Sequence, residues 1–296
     1  KQNLINAIES SLNDKRTYAA LRLRSLMCQG EAYAVPRLGC AEDGETITSQ
    51  RLTQHWQEVL TGSRVELFYA GRRAPQEVAE SFARVFAGHA PVRAAEVGTK
   101  PHPKPTRLRV ITEEMDVTQG KLVIGLHTGI LGTDPDYPAL TLLNAVLGSG
   151  MTSKLFVNVR EKRSLCYYAS SAVYLHKGIM LVSSGIEFDK LDAARDEILA
   201  QLDSVRRGEI TDDELRSAKK SVASDLRAVQ DSIGELEGFY LSQALDGLDY
   251  GPAELAALAE DVTKEDVQAI AESIECDLIY FLKGSGEEDG SDDETA

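Results

Sequence analysis

The sequence predicts an α+β fold built from two related domains, each with an antiparallel-rich sheet packed against helices. From residue 107 onward, alternating apolar segments come first and amphipathic helical segments follow as a block, the order an α+β domain shows. A second observation is a repeat. "ITSQRLTQHWQEVLTGSRVELFYAG" and "VTKEDVQAIAESIECDLIYFLKG" lie about 215 residues apart, and each is a Thr-capped helix running into an apolar strand that ends at Gly. Their spans, 48–71 and 263–284, nearly match, which predicts two copies of one domain. The third observation is an imbalance. The second copy has about 150 residues before Thr263 and the first has 47 before Thr48, so the first domain is expected to be incomplete, with roughly a hundred residues upstream. The start, "KQNLINAIESS", fits a chain cut upstream: it has no initiator Met and no apolar signal core.

Taken in order, Leu4, Ile5, Ile8 and Leu12 share one face of an opening helix, and "KRTYAALRLRSLMC" continues as a second. After the loop "GEAYAVPRLGCAEDGE", Thr48 caps a helix striped by Leu52, Trp56, Val59 and Leu60. "RVELFYAG" reads as a strand and "PQEVAESFARVFAG" as a helix. "HAPVRAAEVGTKPHPKP" is rich in Pro, Gly and small residues and reads as a linker. The strands "RLRVITEEMDV" and "KLVIGLHTGI" follow, then helices near 135–148 and 152–163. A hairpin of "YYASSAVYL" and "GIMLVSSGI" turns at residues 176–178. Helices fill 190–273, one of them opened by Thr211 with Glu214 three residues on, a capping box, and "DLIYFLKG" closes the pattern as a strand. The expected map is therefore 1–97 for the trailing part of the first domain, 98–106 for the linker, 107–285 for the second domain and 286–296 for a disordered acidic tail.

Charge and motif content narrow the chemistry. The net charge of −15, still about −9 without the tail, excludes the basic surface that nucleic acid requires. No apolar run approaches the roughly 20 residues that span a bilayer. Cys28, Cys40, Cys166 and Cys276 are scattered, which suggests reduced thiols in a cytoplasm-like compartment. "HWQEV" places His55 in an H-x-x-E, but Val59 stands where a helical zinc site needs its second His, so no metal site is expected. His102 lies in the Pro-rich linker and His176 in the hairpin turn. "GSGMTSK" at 148–154 lacks the order of a phosphate loop and reads as a helix–helix junction. Cys166 has no local His partner and reads as a structural thiol.

One junction stands out. In "VREKRSLCYYASS" a helical pattern gives way to a strand pattern, and Arg160 and Tyr167 flank the break. An Arg at a helix end can cap carbonyls, and a Tyr opening a strand can sit at an interface. The same two side chains could instead be donors for a bound peptide, Arg160 to backbone carbonyls or a carboxylate, Tyr167 to the oxyanion of a tetrahedral intermediate. Spacing alone leaves both open.

The stretch from "LLNAVLGSGMTSKLF" through "VREKRSLCYYASS" to "SSGIEFDK" resembles the C-terminal domain of pitrilysin/insulinase-type zinc metallopeptidases, the group that includes the mitochondrial processing peptidase. The matching hallmarks are the small-residue run at 148–156 and R-E-K-R-x-L-x-Y at 160–167, and the likeness extends over about 107–284. The resemblance implies two α/β-roll domains forming half of a clam-shell chamber. It implies that an extended peptide is held as an added strand, and that Arg160 and Tyr167 act in trans on a site whose zinc is supplied by a partner or by the missing N-terminal segment. Residues 1–97 resemble the rear of the same family's N-terminal domain. "DKRTYAALRLRSLMCQGEAYAVPRLG" is most similar to the non-zinc partner subunit of bacterial cytoplasmic pairs, which implies a heterodimer with a zinc-bearing homologue and no hydrolysis by this chain alone. A complete zinc endopeptidase lacking its front, or a non-catalytic scaffold, are the alternatives. Two departures lie beside the Tyr: Ser164 stands where many members have Gly, and Cys166 where a small residue is usual.

Overall fold

The computed structural model describes residues 1–87 and 100–285. The expected tail and most of the expected linker's upstream flank lie outside those residues. Helices α1 (Gln2–Asn13), α2 (Lys15–Met27), α3 (Ala41–Thr46), α4 (Ser49–Gly62) and α5 (Pro75–Phe86) precede strands β1 (Arg109–Met115) and β2 (Gly120–His127). Then come α6 (Tyr137–Leu147), a π-helix (Leu155–Lys162) and the hairpin β3 (Tyr168–Tyr174) and β4 (Ile179–Ile186). Helices α7 (Leu191–Arg206), α8 (Asp212–Ala228), α9 (Ile233–Asp246), α10 (Pro252–Asp261) and α11 (Lys264–Ser273) lead to β5 (Glu275–Gly284).

The five strands form one sheet in the order β1-β5-β2-β4-β3. β1 runs parallel to β5, and the other pairings are antiparallel. This is the α+β architecture expected, with the antiparallel majority. Strands β2 and β5 are apolar at almost every position because both faces of the sheet are covered. Leu122, Ile124, Leu126, Met180, Val182, Ile279 and Phe281 face one way and pack with α6, α7, α8 and α11. Val123, Ile179, Leu181, Leu278, Tyr280 and Leu282 face the other way and meet Ala19, Leu23 and Met27 of α2. Each fully buried aliphatic side chain here contributes about 1.5–3 kcal/mol. Helix α2 can lie this close because residue 125 is Gly: a Cβ there would stand 2.3 Å from Met27 Sδ.

Polar contacts fix the same helix. Arg22 donates to Glu113 at 2.6 Å, and the buried Tyr280 hydroxyl donates to that carboxylate at 2.9 Å. The Arg22 hydrogen bond, against the cost of burial, holds the Glu113 carboxyl below the usual glutamate range. Local signals set the helix starts as expected. The Thr48 hydroxyl accepts from the Arg51 N–H, and Thr211 and Thr263 each form a capping box with Glu214 and Asp266. The hairpin turns where predicted, with Gly178 at φ +62°.

One expectation fails. Residues 64–70, read as the strand of the first repeat, have no regular structure. A strand persists only when its N–H and C=O groups are paired, and among the described residues no other strand lies beside this one. The helix before it shows the same deficit: Leu52 and Trp56 are 58% and 60% exposed.

Candidate functional site

The site is built where the π-helix meets β3. Its last turn is wider than an α-helix, and it closes with the Ser164 N–H on the Arg160 carbonyl and the Leu165 N–H on the Val159 carbonyl, at 3.1 and 3.0 Å. Burial of Leu155 and Val159 anchors the inner side of this helix, so Arg160 next to Val159 lies at its margin, 40% exposed. The chain then reverses through Ser164, which sits at φ +50°, a left-handed backbone that Gly adopts freely and other residues at a cost. That conformation supplies the physical reason for a Gly at this position. Tyr167 follows, its N–H on the Gly185 carbonyl at 2.8 Å and its ring 57% exposed.

Arg160 and Tyr167 line one open cavity of about 350 Å³ together with Glu161, Ser164, Leu165, Cys166, Glu187 and Lys190. The structure thus brings the two predicted residues to one place. The Tyr167 hydroxyl donates to Glu187 Oε1 at 3.0 Å, and this bond raises the phenol's pKa, so it keeps its proton and remains a donor. The Arg160 guanidinium lies over the Phe156 ring, 4.7 Å from its centroid, and 3.5 Å from a Glu161 oxygen. Cys166 is half-buried against the core, and burial pushes its thiol up, which suits a structural thiol better than a nucleophile.

Glu187 was not singled out in the sequence. The register did not reveal it: Tyr168 pairs with Gly185, which sets Glu187 across from Cys166, and the contact arises because Glu187 lies beyond the end of β4. Strand β3 is also the sheet's edge. The Gly148 carbonyl accepts from the Ser171 N–H at 3.0 Å, and a Cβ on Gly148 would come within 2.5 Å of Ser171 Oγ. The "GSG" junction therefore clasps the far half of that edge, and among the described residues no strand pairs with the half beside Tyr167.

A catalytic zinc finds no fit among the described residues around His55. His55 and Glu58 are both exposed on α4, 3.8 Å apart, with no second imidazole one turn away. His102, read as a linker residue, is buried instead, with Nε2 on Asp277 at 2.8 Å. No helix among the described residues is long and apolar enough to cross a membrane.

Comparison with known proteins bears on the whole arrangement. Residues 46–222 match the family model described as the peptidase M16 inactive domain. The chain is 33% identical over 285 residues to a "probable inactive metalloprotease YmfF" of Bacillus subtilis, covering 96% of this chain and 67% of that protein. It is 26% identical to an "uncharacterized zinc protease SCO5738" of Streptomyces coelicolor, of which it spans 54%. Among solved structures, a conserved protein from Enterococcus faecalis superposes with a TM-score of 0.88 at 30% identity, over 97% of this chain and 68% of the other. A peptidase M16 inactive domain from Pseudomonas fluorescens superposes with a TM-score of 0.75 at 20% identity, over 97% of this chain and 69% of that one, a likeness of fold.

Proposed function

The chain belongs to the peptidase M16 family, as a member of its inactive type, and from that premise we propose that it is the peptide-holding, non-zinc half of a composite peptidase. In this reading residues 1–97 and 107–285 are two like domains. An extended peptide adds to the open half of the β3 edge, so that main-chain hydrogen bonds supply affinity. Arg160 holds a peptide carbonyl or carboxylate, and Tyr167 turns from Glu187 to donate to the oxyanion as the carbonyl becomes tetrahedral. The catalytic zinc belongs to a homologous partner or to an N-terminal segment, and no step on this chain passes through it. A cytoplasmic heterodimer is part of the same proposal. The observation that carries it is the meeting of Arg160 and Tyr167 in one open cavity beside a sheet edge that has no strand partner among the described residues.

A second reading, a scaffold that keeps the fold without handling peptide, draws support from one feature. Both donors already face carboxylates, Arg160 on Glu161 and Tyr167 on Glu187. Hydrolysis of an unstructured peptide by the full-length protein, alone and mixed with a zinc-bearing homologue, separates the readings. The proposal expects hydrolysis in the mixture, with kcat lowered about 10²–10³-fold by Tyr167→Phe or Arg160→Ala. A stable complex whose activity neither substitution changes would establish the scaffold. Hydrolysis by the single protein would place the metal site on its own full-length chain.

A further inference from the structure

Between the end of α2 and the segment that runs into β1, three side chains of metal-binding type converge although no sequence motif links them. A donor atom of Cys28, of Glu31 and of His102 lie within 4.8 Å of one another. Cys28 is fully buried and His102 94% buried, while Glu31 is half-buried at the rim. The His102 imidazole is already oriented from behind. Its Nε2 is held by Asp277 Oδ2 at 2.8 Å, and Arg109 in turn holds that carboxylate at 3.0 Å. Its other nitrogen, Nδ1, is buried and makes no hydrogen bond of ordinary geometry, and the Cys28 thiol is the group that interacts with the ring on the site's side. A buried ring nitrogen left unpaired costs on the order of 1–3 kcal/mol, so its position calls for an explanation.

We infer that Cys28, Glu31 and His102 form a structural site for a zinc-class divalent cation. The ligand set is right for that class: one thiolate, one imidazole and one carboxylate suit a borderline-soft, tetrahedral ion, and a fourth position is left for water. Asp277 behind His102 is the outer carboxylate that metal-bound imidazoles carry, fixing the ring with Nδ1 free to ligate. The polar neighbours fit as well. Lys177, fully buried, reaches Glu31 Oε2 and the Lys100 carbonyl, which leaves Glu31 Oε1 for the metal. The His102 N–H donates to the Lys177 carbonyl at 2.8 Å, and the His102 carbonyl meets His127 Nε2 at 3.1 Å, so the ligand's backbone is held from both sides. The ion fastens α2, which covers one face of the sheet, to the strand entry at residues 100–102. This structural role is separate from the zinc of hydrolysis, for which the sequence shows no helical ligand pair.

Cobalt(II) is the probe, because a thiolate ligand gives it a near-ultraviolet charge-transfer band. The full chain, freed of metal with chelator and kept folded, is titrated with cobalt(II). One equivalent should bind with that band and raise the thermal midpoint. Cys28→Ser should remove the band, and Glu31→Gln should weaken binding, its metal-free fold checked first by circular dichroism because the buried Lys177 loses its carboxylate. Asp277→Asn should lower affinity by about 10–100-fold as an outer-shell change does. Cys40→Ser removes the exposed thiol and should leave the band unchanged. No band in folded protein, or a band lost in Cys40→Ser and kept in Cys28→Ser, would overturn the site.

Discussion

The chain writes one local pattern twice and folds it once. Helix α4 with residues 64–70 and helix α11 with β5 share a Thr cap, an amphipathic helix and an apolar run. In the second copy Val267 and Ala271 are fully buried, and β5 pairs on both sides, with β1 and β2. In the first copy the apolar stripe of α4 stays exposed and the apolar run stays irregular. Local sequence thus decides the helix and its start in both copies. The strand is decided elsewhere, by whether neighbouring strands stand ready to take its hydrogen bonds.

Substitutions at matched positions test this contrast. The largest effect is expected from Leu278→Ala in β5, a fully buried side chain, which should cost about 2–5 kcal/mol in denaturant unfolding. Leu67→Ala in the unpaired run should change stability by less than about 0.5 kcal/mol. Equal costs would mean that residues 64–70 are buried in solution and that the contrast is false. The caps come next. Thr263→Ala should cost about 1 kcal/mol of global stability, whereas Thr48→Ala should leave the global transition in place and loosen only α4 to hydrogen exchange.

Acid titration sharpens the comparison on the side of α2. The folded Glu113 carboxyl titrates below its ordinary value of 4.5, so its pairing with Arg22 favours the folded state above that pH. The benefit is lost as pH falls from 4.5 through the lower folded value. Arg22→Gln should therefore destabilise the protein at neutral pH, and the gap from the parent protein should narrow in that acid window. A gap that stays constant with pH would assign the loss to packing alone. A small gain, where the other substitutions cost stability, is expected at the site itself. Ser164→Gly should relieve a left-handed backbone and stabilise by up to about 1 kcal/mol, measured as a shift in unfolding midpoint.

These contrasts also mark what the sequence disclosed. The Thr caps, the turn at Gly178 and the alternating strands were legible because each is a short-range rule written in one or two residue types. Arg160 and Tyr167 were legible as a junction, since helix and strand periods change between them. The π-helical pitch of 155–162 was not, because eight residues do not distinguish a 3.6-residue turn from a slightly wider one. Nor was the convergence of Cys28 and Glu31 with His102, which lies about 70 residues further on and is joined to them only through the packing of α2 on the sheet. Residues 64–70 misled for the opposite reason: their apolar alternation was sound, and the missing element was a partner.

The position of β5 has a consequence in time. The last strand of the sheet lies inside it, between β1 and β2, and among the described residues β1 pairs with no other strand. As the chain leaves the ribosome, β1 is complete by residue 115 while the strand it needs ends at residue 284. At about 5–20 residues per second that interval is on the order of ten seconds, during which β1 and the inner edge of β2 stand open. Strands β2, β3 and β4 are all complete by residue 186, so they are able to pair while the seam that β5 closes is still open. Whatever guards that seam during synthesis governs how much of the protein reaches its folded form.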